Sequence, residues 1–343
     1  MEKLSIPALA NKIQTEADAY VFMERMRWGT DNGGLTCPHC GNEKAYYLKP
    51  SNGVNRKTRT GTASERRVWK CAACRKQFSV LTGTIFHGSK VPLRTWLFVV
   101  FAMCSNKNGI SAREIERTYG LTAKTSWFVA HRIREAMKRE PLVGMLRGHV
   151  TADETFIGGK ARNKHKSVRR EGDTTEPTRL TPGARAGFSP KDNKTAVLSL
   201  VDRETGEVRS QVVPDVTGAT LRKVIAEHVD MANTVLHTDE APAYKTFQPE
   251  MADHLTTNHR ADEYVRYANG VMTTTNHAEG YFSQLKRSLD GTHHHVSAEH
   301  LPRYLAEFDY RYSTRKMTDT ERTHDLFAKV DGKRLTYRPL TEK

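Results

Sequence analysis

Four cysteines and three carboxylates are the residues of this chain whose types and spacing best suit chemistry. Cys37 and Cys40 form one Cys-x-x-Cys knuckle, and Cys71 and Cys74 form a second. Each knuckle hands two thiolates to a metal from one tight turn, so the pair supplies the four ligands of a tetrahedral structural Zn2+. The thirty residues from Gly41 to Lys70 exceed the common spacing of about 15 to 20, and an elongated hairpin has to fill the gap. Closed four-thiolate sites stabilise folds and rarely catalyse. Cys104 lies in an apolar run, and the set reads as metal binding in a reducing compartment, not as a disulfide framework.

The carboxylates are Asp153, inside the strand-like run 149–156, Asp239, at the end of the run 234–239, and Glu279, on the helix-like stretch 276–289. Two Mg2+ ions about 3.5 to 4 Å apart need bridging and flanking carboxylates to stabilise the attacking and leaving oxygens of in-line phosphoryl transfer. The order strand, hairpin, helix, strand, helix unites these acids only if Asp153 and Asp239 lie on neighbouring strands. Neighbours on a strand face opposite sides, so only one of Asp153 and Glu154 joins the site, and Asp153 is favoured. Glu240 rivals Asp239, which could instead cap the following turn. Glu279 stands three residues after Asn276, the spacing of a helix capping box.

The elements that must hold these residues are legible in outline. Residues 1–30 read as a helix leading into the first domain, with Phe22, Met23 and Met26 near helical spacing. Short β-prone runs at 45–48, 67–70 and 77–80 predict a small β module. Its basic segment carries Arg56, Lys57, Arg59, Arg66 and Arg67, which suit phosphate contacts. Pro92 opens an apolar helix. Ser111 to Glu114 has the capping-box form, Gly120 marks a tight turn and Thr122 caps a further helix, which together spell helix-turn-helix. Its second helix is expected to present Lys124, Ser126, His131, Arg132 and Arg134 to a DNA groove. Residues 195–201 and 208–213 form a hairpin, a helix follows near 217–231, and the helix at 298–315 is core packing. His293, His294 and His295 are weak DNA-contact candidates.

Length and charge bound the function. The 343 residues suggest two or three domains of about 150. Lys and Arg number 54 against 39 Asp and Glu, a net charge of +15 with histidines neutral, so a polyanion, nucleic acid first, is the expected partner. The longest apolar stretch, Trp96 to Cys104, has nine residues, about half of a membrane span, and no cleavable apolar segment follows Met1. The expectation is a soluble cytoplasmic protein. Between Lys160 and Arg170 stand six basic residues and no acid, a loop suited to ordering on DNA.

Three motifs carry a resemblance: Thr151-Ala-Asp153-Glu-Thr-Phe-Ile-Gly-Gly159, His237-Thr-Asp239-Glu, and Thr275-Asn-His-Ala-Glu279-Gly-Tyr-Phe-Ser-Gln-Leu-Lys286-Arg. Together they resemble the DDE transposases of bacterial insertion sequences. With the amino-terminal zinc ribbon they resemble the group numbered fifteen-ninety-five, over about Trp28 to Arg315. The resemblance implies a multidomain α/β protein with an RNase H-like mixed-sheet core, preceded by a small β zinc ribbon and a helical helix-turn-helix segment. Matched residue by residue, it implies a catalytic, metal-binding triad of Asp153, Asp239 and Glu279 for two Mg2+ or Mn2+ ions. The resemblance also makes Lys286, the basic residue seven positions after the last acid, a catalytic residue directed at phosphate. The pattern agrees: Ala278, Phe282, Leu285 and Leu289 fall on one apolar helix face, while Glu279, Ser283 and Lys286 share another.

The expected organisation is a helical lead-in (1–32), zinc ribbon (33–88), helix-turn-helix segment (89–145), catalytic core (146–315) with a basic insertion (160–194), and C-terminal tail (316–343). The resemblance implies a DNA transposase that binds terminal inverted repeats and carries out metal-dependent cleavage and strand transfer. Its partners would be double-stranded DNA, at the element ends and the target, and further copies of itself, as a homodimer or larger, on the bacterial nucleoid. A nuclease of the same core without strand transfer, a zinc-ribbon transcription regulator and an inactive remnant are the alternative readings.

Overall fold

The computed structural model describes residues 3–29, 33–49, 57, 63–138, 144–158, 194–245, 247, 250–257, 265–268 and 271–337. Arg56, Arg59 and nearly all of the expected basic insertion lie outside them. The chain divides into two compact units, residues 1–138 with 315–343, and residues 139–314. Among the described residues no helix is long and apolar enough to cross a membrane.

In the first unit, the expected single leading helix is two, α1 (Ile6–Lys12) and α2 (Glu16–Trp28). The break lies where Thr15 and Asp18 form a reciprocal capping box that starts α2 afresh. Strands β1 (Ala45–Tyr47), β2 (Trp69–Cys71) and β3 (Gln77–Phe78) form an antiparallel sheet in that order. Helix α3 (Leu93–Ser105) begins after Pro92 and buries Leu93, Trp96, Leu97, Val100 and Phe101, each worth about 1.5 to 3 kcal/mol of burial. Helix α4 (Ala112–Tyr119) ends on Gly120, left-handed at φ +65°, and Thr122 caps α5 (Ala123–Met137).

The polar face expected of α5 is corrected. Ser126, His131, Arg132 and Arg134 are all buried; only Lys124 of the five is exposed. Arg132 is held between the rings of Trp96 and Phe128, at 5.4 and 5.5 Å, and donates to the His87 carbonyl at 2.7 Å. Aromatic rings supplied by α3 and by α5 itself absorb a cation that a helical wheel assigns to solvent.

The second unit is built on a mixed five-stranded sheet in the order β6-β5-β4-β7-β8. Its strands are β4 (Leu146–Ile157), β5 (Thr195–Asp202), β6 (Val208–Val213), β7 (Val229–Asp239) and β8 (Asp253–Thr257). Strands β4, β5 and β6 pair antiparallel, whereas β7 runs parallel to both β4 and β8. Helix α6 (Gly218–His228) makes the crossover that a parallel pair requires. This is the mixed α/β core implied by the resemblance. A short hairpin of β9 (Arg266–Ala268) and β10 (Val271–Thr273) precedes α7 (Asn276–Ser288), and α8 (Leu301–Ser313) follows.

Strand alternation divides this unit into two cores. Val150 and Ala152 of β4, with Leu198 and Leu236, pack toward α6 and Tyr244. Val197, Val201 and Val208 pack toward α7 and α8, against Ala278, Tyr281, Phe282 and Leu285. His293, grouped in the sequence with two exposed histidines, packs its ring 4.9 Å from Tyr304. The residues after Arg315, expected as a tail, carry α9 (Asp319–Ala328), opened by a Thr318–Glu321 capping box. It packs on α2 and α3 of the first unit, with the Phe22 and Phe327 rings 6.5 Å apart.

Candidate active site and zinc centre

Asp153 lies on β4, Asp239 ends β7, and Glu279 sits in the first turn of α7. The parallel register pairs Thr151 with His237, and the same step of two residues along each strand leads to Asp153 and Asp239. Odd-numbered residues of β4 face the α7 side, so period-two alternation puts Asp153 on the side where α7 carries Glu279. Glu154 takes the other face, where its carboxylate accepts the hydroxyl of the buried Tyr244.

Electrostatics tie the three acids together. Burial first, then the charges of Glu154, Asp239 and Glu279, push the Asp153 carboxyl up to about 7. Glu154 is also raised to about 7, again by burial first and with a contribution from Asp239. Asp239 accepts the Ala241 N–H at 3.0 Å, and Glu279 accepts the Thr275 hydroxyl at 3.2 Å. The three carboxylates are not drawn into one tight cluster: among the described residues only the four cysteines place three or more ligand atoms within 4.8 Å of one another. Lys286 stands two turns beyond Glu279, exposed on the same face of α7, and is not brought against the carboxylates.

A basic group that sequence reasoning missed lies on the same face of the sheet. His149 Nδ1 is 3.0 Å from His237 Nε2, and Arg203 Nη1 is 3.0 Å from that same nitrogen and donates to the Met272 carbonyl at 2.7 Å. Burial first, then Arg203 and the neighbouring histidines, hold His237 down to about 3, so it is neutral at physiological pH. A cavity of about 350 Å3 lined by His149, Arg203, Glu204, Met272 and His277 opens here. Its only signal in the sequence was His237, two residues before Asp239.

In the first unit, the knuckles bring all four thiols together. Cys37 Sγ is 3.7 Å from Cys74 Sγ, and Cys40 Sγ is 3.6 Å from Cys71 Sγ. A tetrahedron with 2.3 Å zinc–sulfur arms has edges of about 3.8 Å, so the four cysteines fit a structural zinc. The turns are alike: the residue after the second cysteine, Gly41 in one and Arg75 in the other, is left-handed at φ +72° and +60°. Backbone N–H groups of Cys74 and Ala73 help lower the Cys71 thiol to about 7, toward the thiolate that binds metal.

A mixed-sheet core with three acids on one face, in one chain with a four-cysteine ribbon, is the arrangement that the comparisons with known proteins identify. The ISXO2-like transposase domain matches residues 145–313, and the transposase zinc-ribbon domain matches residues 14–77. An uncharacterized protein in transposable element ISH50 of Halobacterium salinarum is 26% identical over 299 residues, covering 87% of this chain and 90% of the relative. The chain belongs to the IS1595 group of insertion-sequence transposases.

Proposed function

We propose that the protein cuts the ends of its insertion sequence and joins them to target DNA, with Asp153, Asp239 and Glu279 as the catalytic acids. The observation that carries this reading is the shared face: two carboxylates from adjacent parallel strands and one from the helix packed over them, with Asp153 raised to about 7 by burial first, then by the charge of Glu154, and after these by Asp239 and Glu279. Like charges held this close are costly unless cations neutralise them, and all the donors are oxygen, which suits Mg2+ or Mn2+. Two such ions would supply charge neutralisation and activation of the attacking oxygen.

The protein's own residues then position and hold. Asp153, Asp239 and Glu279 would hold the ions through their carboxylate oxygens. Lys286, on the Glu279 face of α7, contacts a phosphate of the bound strand, and Arg203 with His277 offers donors to its non-bridging oxygens. In the first step water attacks an end phosphodiester and the 3′-oxygen leaves as a hydroxyl. In the second that hydroxyl attacks a target phosphodiester, so one phosphorus–oxygen bond forms as another breaks. Positioning and electrostatics dominate such chemistry. Joining two ends calls for at least two copies of the chain, and the zinc-ribbon unit holds the terminal repeats.

The test is cleavage and joining of labelled DNA carrying the element's ends, with and without Mg2+, for the wild type and for Asp153→Asn, Asp239→Asn and Glu279→Gln. Metal-dependent joining lost in all three supports the reading. Cleavage without joining indicates a nuclease, and specific binding without strand chemistry indicates a regulator or an inactive remnant.

A further inference from the structure

The first unit contains a cavity of about 260 Å3 whose polar lining consists of Tyr20, Arg66, Ser79, Thr82, His87 and Ser89. No carboxylate lines it. What distinguishes it is that its hydroxyl oxygens already accept hydrogen bonds from the protein. Ser79 Oγ accepts from Arg66 Nη2 at 3.2 Å, and Thr82 Oγ1 accepts the Ser79 N–H at 3.0 Å. Ser89 Oγ accepts both Trp96 Nε1 at 2.9 Å and the Val91 N–H at 3.1 Å. Each hydroxyl is thus left with a proton to donate.

The remaining groups agree. His87 Nδ1 accepts the Gly83 N–H at 3.3 Å, which assigns the ring proton to Nε2, a donor. Burial holds Tyr20 up at about 12, so its phenol keeps its proton. Arg66 is exposed and forms no ion pair with a carboxylate among the described residues. The charges acting on His87 are Arg334, Arg132, Arg66 and His39, all basic. The nearby acids are committed elsewhere: Glu24 to Arg67 and Trp69, and Glu16 to the N–H groups of Leu93 and Arg94. A cavity of donors and positive charge with no carboxylate in its lining selects a ligand made of anionic oxygens.

We infer that this cavity binds a phosphate, and that its occupant in the working protein is one backbone phosphate of double-stranded DNA. The choice of DNA over a free anion rests on the reading of the protein as a transposase. It is supported by the place of the cavity, at the end of the basic segment of the zinc-ribbon unit, with Arg66 on the surface.

The experiment measures binding of an element-end duplex and an unrelated duplex between 50 and 200 mM salt, for the wild type, Arg66→Ala, Arg66→Lys and Ser89→Ala, with zinc content as the check on folding. Removing one phosphate contact makes the slope of log affinity against log salt shallower by about 0.9, so the wild-type advantage shrinks about 3.5-fold across that range. Arg66→Ala should show this equally on both duplexes, and Arg66→Lys should recover most of it. An unchanged slope in Arg66→Ala with zinc retained overturns the proposal. A second arm measures thermal stabilisation by inorganic phosphate against chloride at matched ionic strength, expected in the wild type and absent in Arg66→Ala. If the wild type itself fails to bind duplex DNA, the transposase reading fails first; phosphate stabilisation lost in Arg66→Ala then upholds the anion site and overturns its DNA occupant. No stabilisation overturns both.

Discussion

Tyr244 donates its hydroxyl to Glu154 on the face of the central sheet opposite the one that carries Asp153. Two adjacent acids are thereby given different work: one is fastened into the core, the other is held toward α7. Asp153→Asn is therefore expected to abolish strand chemistry and leave the fold intact. Glu154→Ala leaves the buried Tyr244 hydroxyl without its acceptor, a loss of about 1 to 3 kcal/mol in stability, while Glu154→Gln, which still accepts, stays close to wild type in both. Urea unfolding and the joining assay separate the two positions; Glu154→Gln losing all activity while Asp153→Asn keeps it would exchange their roles.

The raised carboxyl of Asp153 gives a pH signature in Mg2+-free buffer. Its folded value, about 7, exceeds the ordinary 3.8, so the folded chain binds the extra proton between those limits. Stability from this group is complete below about 4 and is lost as pH rises to about 7. Asp153→Asn, which has no charge to lose, should gain in melting temperature relative to wild type between pH 5.5 and 8. At pH 8, added Mg2+ should stabilise the wild type increasingly as its concentration passes the dissociation constant, and stabilise the variant less. A constant difference across pH would mean that Asp153 titrates as an ordinary carboxyl.

Much of this site was legible because it depends on local pattern. Period two alone separates Asp153 from Glu154, and period 3.6 places Glu279 with Lys286 away from Leu285. What was not legible depends on partners distant in sequence. Arg203 reaches His237 across 34 residues through a hairpin turn, and nothing near Arg203 announces a histidine. Arg132 reads as a DNA contact until the ring of Trp96, supplied by another helix, is placed beside it. Strand β8 has only Leu255 as an apolar residue and gains its identity from pairing with β7, a tertiary fact.

The sulfur positions predict one zinc per chain. Cys74→Ser should drop zinc content well below one equivalent, loosen the β1–β3 sheet and weaken DNA binding, because ligand loss in a four-thiolate site is loss of folding energy. A zinc-sensitive dye read after thiol modification gives the stoichiometry. Full zinc retention in both Cys74→Ser and Cys37→Ser would show that these cysteines are not the ligands.

Arg67 stands beside Arg66 in the sequence yet is bound differently. Its Nε lies 2.8 Å from Glu24, a carboxylate only 2% exposed, which also accepts Trp69 Nε1 at 2.8 Å, and its guanidinium covers the Tyr47 ring at 4.5 Å. Removing one partner of such a pair leaves a buried charge without compensation, a cost of about 3 to 5 kcal/mol when both partners are buried. Arg67 is the more exposed partner and its charge can turn to water, so Glu24→Ala should fall at the lower end. Arg67→Ala strands the carboxylate inside and should fall at the upper end. Neither variant should make the salt dependence of DNA binding shallower beyond what partial unfolding explains, in contrast to Arg66→Ala. If Arg67→Ala instead keeps its urea midpoint and loses about one phosphate contact in the salt slope, the Glu24 pair is incidental and Arg67 belongs with the DNA contacts.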